Sequence, residues 1–102
     1  MSNHFLICHK PGGSEPGRDY SNFRKGVEGL GHCWRHFDST WIVATDETSS
    51  QMEERLIPLI FDGDSLLIIG VTNDCRGWLV LKERKALADV IGVAEERLEK
   101  SL

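Results

Sequence analysis

Apolar and polar positions change period several times along the 102 residues of this chain, and each change predicts a new element. From His4 to Cys8 the sequence is almost continuously apolar, then breaks at the Gly- and Pro-rich stretch of residues 10–18, as a buried strand ending in a loop would. Asp19 offers a helix N-cap, and Tyr20, Phe23, Val27 and Leu30 recur at helical spacing until Gly29 and Gly31 stop the helix. Residues 33–45 are rich in aromatic and β-branched side chains, and Asp38-Ser39 places a turn between two antiparallel strands. Thr48 to Ser50 offer N-caps that Gln51 and Glu53 complete as capping boxes. Met52, Leu56, Leu59 and Ile60 then form one stripe, which Pro58 should kink or shorten. Asp62-Gly63-Asp64 signals a turn into residues 65–71, whose unbroken apolar character predicts a strand covered on both faces. Beyond a loop at 72–77 and apolar residues 78–81, residues 82–100 read as a third helix. Leu87, Val90, Ile91, Ala94 and Leu98 lie along one side of it, and Gly92 weakens its middle.

No repeat, low-complexity tract or linker divides the sequence, so residues 1–102 read as a single domain of layered α/β (α+β) class. The order β-α-β-β-α-β, with two crossover helices on one side of four strands, predicts a ferredoxin-like topology with an additional C-terminal helix at 82–100. Such a sheet has a second face to cover. The strands lack a clean polar alternation, and Trp34 and Trp41 add aromatic bulk unsuited to water. Either the C-terminal helix folds over that face or a second copy packs there, and a homodimer is the expectation.

Composition narrows the partners. Sixteen acidic residues against twelve Lys and Arg give a net charge of −4, which disfavours a general polyanion binder while leaving room for a local basic face. The first residues lack the basic region and long apolar core of a signal peptide, and no apolar run reaches membrane-spanning length, so a cytoplasmic protein without a membrane partner is expected. Cys8, Cys33 and Cys75 are odd in number and widely spaced, which suits reduced thiols better than a disulfide framework or a paired-cysteine zinc site.

Candidate chemistry is scattered. Lys10, Arg18 and the start of the first helix flank the Gly-rich loop, where backbone N–H groups suit an anion, although the Gly-Lys-Ser/Thr ending of a P-loop is missing, Glu15 and Asp19 lie nearby, and an ordinary mobile connection is the plainer reading. Lys10, Arg18, Arg35 and Arg76, joined by Arg24 and Lys25, are the candidate anion or nucleic-acid contacts if they converge near Trp34 or Trp78. His32 and His36 sit about 13 Å apart on an extended strand, too far to share a metal. An extended strand would point Trp34, His36 and Asp38 to one side and Cys33, Arg35 and Phe37 to the other. His36 and Asp38 are therefore the weak catalytic candidates, with a structural polar cluster as the alternative, and Trp34, His36, Trp41 and Trp78 are the interface candidates. Cys8 beside His9 or His36 has the composition of a thiolate–imidazole pair, against a plain buried thiol. Asp62 and Asp64 read as turn carboxylates without a complete calcium loop. No metal and no cofactor is expected.

The run Gly31 to Val43, with Trp34, His36 and Asp38-Ser39-Thr40-Trp41-Ile42-Val43, resembles the small bacterial proteins labelled SinR-family. Lys10-Pro11-Gly12, or equally Pro16-Gly17-Arg18-Asp19-Tyr20, resembles that family's opening motif, and Gly77-Trp78-Leu79 its Gly-Trp-Leu before the last helix, so the resemblance spans roughly residues 5–90. In architecture the family is similar to small CRISPR-associated ferredoxin-like proteins that dimerise. Some of those are linked to nuclease activity through acidic residues at the end of strand one, and others serve as non-catalytic integration adaptors. Here that strand end reads Cys8-His9-Lys10, which lacks the hard oxygen ligands Mg²⁺ prefers. The resemblance thus implies a non-enzymatic homodimeric interaction or adaptor protein, with nucleic acid or another protein as partner. A metal-dependent nuclease and a defence or toxin–antitoxin partner protein are the alternatives.

Overall fold

A computed structural model of the chain describes residues 3–13, 17–72 and 74–98. The elements follow in the order β1 (Asn3–Lys10), α1 (Ser21–Glu28), β2 (His32–Trp34), β3 (Thr40–Thr45), α2 (Ser49–Leu56), β4 (Ser65–Val71) and α3 (Leu81–Ile91). Single 3₁₀ turns follow α2 at Ile57–Leu59 and α3 at Glu95–Leu98. The strands form one antiparallel sheet in the order β2-β3-β1-β4, with Ile7 of β1 opposite both Trp41 and Ile68. This is a mixed α+β fold. No helix among the described residues is long and apolar enough to cross a membrane.

Side chains on a strand alternate between faces, and β3 shows the consequence: Trp41, Val43 and Thr45 are buried while Thr40, Ile42 and Ala44 are half-buried. On the first face Ile7, Trp41 and Val43 meet Phe23 and Val27 of α1, Leu30, and Met52 and Leu56 of α2. On the second, Trp34, Ile42 and Ala44 meet Leu87, Ala88, Val90 and Ile91 of α3 together with Leu98. The third helix therefore covers the β2–β3 half of the second face. Over the β1–β4 half, Leu67 and Ile69 remain 54% and 43% exposed. The coverage predicted on both sides of residues 65–71 is thus absent among the described residues. An apolar run shows what a strand is able to bury, and leaves open which surface will meet it.

Local chemistry sets the helix ends. The Asp19 carboxylate accepts the Ser21 N–H at 2.8 Å, a bond that holds its carboxyl below the ordinary range, but α1 starts at Ser21 with Tyr20 at its N-cap, so Asp19 stands one position before the cap the sequence predicts it to be. Thr48 and Gln51 form the capping box their spacing predicts: the Gln51 N–H donates to Thr48 Oγ1 at 3.1 Å and the Thr48 N–H to Gln51 Oε1 at 2.9 Å. Replacing Thr48 by alanine should lower stability by about 1 kcal/mol, read from the midpoint of urea unfolding with an unchanged slope. The helix predicted over 82–100 ends instead at Ile91, where Gly92 takes φ +79° and its N–H donates to Ala88 O at 2.8 Å. A glycine in the left-handed region caps a helix, so the residue read as a weak middle is the stop. The chain then folds back, and the N–H groups of Gly77 and Leu79 donate to the carbonyls of Arg97 and Leu98, both at 3.0 Å. The last residues of the predicted helix lie outside those described.

Candidate functional site

The pairing of β1 with β4 sets His9 opposite Leu66 and Lys10 opposite Ser65, which brings the turn before β4 against the end of β1. Asp64, in that turn, has no exposed side-chain surface. Its carboxylate accepts five hydrogen bonds: from His9 Nε2 at 3.1 Å, the Phe61 N–H at 3.0 Å, the Gly12 N–H at 2.9 Å, Tyr20 Oη at 2.9 Å and Arg18 Nη1 at 3.3 Å. An ionised carboxylate only accepts, so the hydrogen between His9 and Asp64 sits on Nε2. Burial pushes the Asp64 carboxyl up, but the Phe61 and Gly12 N–H groups, with His9 and Tyr20, outweigh it and hold the group well below the usual carboxylate range. Tyr20 moves the other way, raised first by burial and then by its bond to Asp64.

Gly12 has no room for a side chain, because a Cβ there would stand 1.6 Å from the carbonyl oxygen of Gly63. Rings close the site on one side. His9 lies 4.8 Å from Tyr20 and 4.5 Å from Phe23 between centroids, and the Arg18 guanidinium lies 5.2 Å from the centre of the Phe61 ring. The Gly-rich loop is thereby anchored to the body. A phosphate approaching it would find the Gly12 N–H and Arg18 already donating to a buried carboxylate. A carboxylate has about four lone-pair positions, and five donors surround this one, so Asp64 has nothing left for a metal ion. Among the described residues no three His, Cys, Asp or Glu side chains cluster to hold one.

The other candidate residues divide between the two faces. Arg35 donates Nε and Nη2 to the Asp38 carbonyl at 3.2 and 2.7 Å and lies 5.1 Å over the Trp41 ring, on the α1 side. Arg76 and Trp78 line a cavity of about 280 Å³ with Trp34 and Phe37 on the α3 side. Lys10 is exposed, and Arg18 is 16% exposed against Asp64. Arg35 and Arg76 thus lie on opposite faces of the sheet. Trp34 and Trp41, the expected interface residues, are 5% and 2% exposed and belong to the interior, whereas Trp78 is 69% exposed. Trp34 Nε1 donates to Glu83 Oε1 at 3.2 Å, and His36 Nδ1 stands 3.6 Å from Glu83 Oε2.

His36 and Asp38 are not joined. The strand that would have aligned them ends at Trp34, and residues 35–39 form the connection, so the alternation stops before it reaches them. Glu83 is the partner that sequence reasoning missed, since only the docking of α3 brings it to Trp34. His9 and Cys8 face opposite sides of β1, which separates the thiol from the imidazole beside it in sequence. Cys33 is pushed up to about 11, mainly by burial and then by Glu28, and stays a neutral thiol.

Set against protein-family models, curated proteins and solved structures, the chain matches none. Its function therefore has to be read from its own surfaces and sites.

Proposed function

We propose that this chain is a non-enzymatic interaction protein that works as a homodimer, joined through the half of its sheet that α3 leaves open. The observation that carries this reading is the exposed apolar row on β1 and β4. Leu67 and Ile69 face outward beside half-buried Leu6, Cys8 and Val71, in a register that sets Leu6 opposite Ile69 and Cys8 opposite Leu67. Lys10 supplies a fixed charge at one end of the row, and His4, opposite Val71, stands at the other. A face with so little charge offers nothing for a chemically distinct partner to match, whereas a second copy across a two-fold axis meets it with the same apolar surface. Such a contact also gives residues 65–71 the two-sided burial their sequence calls for.

The fold belongs to the same reading: the antiparallel order β2-β3-β1-β4, with α1 and α2 packed on one face, supports a ferredoxin-like topology. Kinship with the SinR-labelled proteins is likewise proposed, on the order of the shared motifs alone. A metal-dependent nuclease draws less support, because Asp64, the carboxylate beside the end of β1, is already saturated with donors.

Light scattering on the eluting protein tests the dimer. The native chain should run at twice the mass of one chain, and the double variant Leu67→Asp with Ile69→Asp at the mass of one, with an unchanged far-ultraviolet circular dichroism spectrum. A native chain that stays monomeric across the micromolar range, or a double variant that stays dimeric, would sink the proposal.

A further inference from the structure

Beside the Asp64 site, α1, the β2–β3 connection and the start of β3 enclose a cavity of about 160 Å³, lined among others by His9, Arg24, Arg35, Asp38, Ser39 and Trp41. We propose that this cavity binds a phosphate-sized oxyanion, either inorganic phosphate or the terminal group of a phosphate monoester. Arg24 and Arg35 hold it, and a small shift of the lining would bring the buried indole N–H of Trp41 to it as a further donor.

Trp41 supplies the first reason. It is 2% exposed, and its Nε1 is a buried side-chain nitrogen without a hydrogen-bond partner. Indole nitrogen only donates, and buried donors nearly always find an acceptor, so an acceptor entering the cavity and displacing the lining enough to reach this nitrogen would satisfy it. An oxyanion presents acceptors in every direction.

Arg35 supplies the second. A guanidinium carries five N–H groups, and the Asp38 carbonyl takes one from Nε and one from Nη2. That fixes the side chain across the Trp41 ring with the remaining N–H groups available, an arrangement already ordered before a ligand arrives. Arg24 lines the same cavity from α1, so two arginines from separate segments border it in a chain whose net charge is −4. Paired arginines recognise phosphate through bidentate, charge-assisted bonds. The volume is well above the ~10–15 Å³ that a single water needs. Asp38 is the opposing charge on the lining, and Arg35 bonds its backbone carbonyl, which leaves the carboxylate unneutralised by that contact. Pro11 of the Gly-rich loop also lines the cavity, but that loop's Gly12 N–H and Arg18 already face Asp64 and are not among the groups that would hold the anion.

The test is a titration of the full-length, nitrogen-15-labelled protein with sodium phosphate at constant ionic strength, which removes simple screening. The three tryptophan indole resonances are followed by NMR. One resonance, assigned to Trp41 by its loss in Trp41→Phe or through contacts with Phe23 protons if that variant fails to fold, should move saturably while those of Trp34 and Trp78 stay. Arg24→Ala and Arg35→Ala, both at exposed positions, should each weaken binding roughly tenfold. Asp38→Asn should tighten it. Tighter binding of a nucleoside 5′-monophosphate than of phosphate, with none by the nucleoside, assigns the monoester, and equal binding of the two anions assigns inorganic phosphate. The proposal is overturned if the Trp41 resonance shows no saturable movement, or if both arginine variants titrate as the native chain does.

Discussion

Replacing Asp64 by alanine should destabilise the protein by about 4 kcal/mol, because it strands His9, Tyr20, Arg18 and two backbone N–H groups around an empty position. For a domain of this size that corresponds to a fall in melting temperature on the order of 20 °C. Asp64→Asn should fall between the two. It keeps the volume and one acceptor but turns an amide N–H₂ into a ring of donors, of which only Tyr20 and His9 can reverse to accept. The native chain should also show a specific acid limb. Asp64 has a folded pKa below its unfolded value of about 3.9, so its contribution is fully present above that pH and declines as the pH drops through the folded value. Thermal melts stepped down from pH 6 should therefore show Asp64→Asn losing less stability than the native chain below pH 4. Equal acid sensitivity in the two proteins would mean that the carboxylate is not the group the site is built on.

Gly12→Ala should cost on the order of 3 kcal/mol although it adds only a methyl group. That Cβ would stand 1.6 Å from Gly63 O, 1.9 Å from Gly63 C and 2.6 Å from Asp64 N, all backbone atoms with no side-chain freedom to yield. The loop must move away, and the Gly12 N–H bond to Asp64 goes with it. Because both substitutions break one network, the double variant Gly12→Ala with Asp64→Ala should lose markedly less than the sum of the two single losses. Urea unfolding of the four proteins measures this coupling. Strict additivity would show that the loop is held by something other than Asp64.

Much of the fold was legible because local chemistry fixes it. Residues 65–71 form the strand their composition describes, Thr48 and Gln51 cap α2 as spaced, and Pro58 stands where α2 gives way to a 3₁₀ turn. Gly92 was noticed as a weakness, but its left-handed backbone, which makes it a stop, is a property of conformation and not of composition. The site was far less legible. Asp62-Gly63-Asp64 reads as a turn, and nothing near it in sequence tells the two carboxylates apart; the difference is made by His9, 55 residues away, and by the loop that follows it. Trp34 and Trp41 were correctly seen as unsuited to water. Which surface would bury each depended on the packing of α3 and α1, a tertiary fact that periodicity does not carry.

The separation between His9 and Asp64 also orders events in time. A contact closing a loop of 55 residues gains its enthalpy only after the intervening chain has given up its freedom, whereas α1, the β2–β3 hairpin and α2 close over short spans. The Gly-rich loop near the start of the chain is thus secured by one of the last strands to be made. During synthesis it lacks this anchor until Asp64 is available, so a loop made before α1 is also among the latest to set.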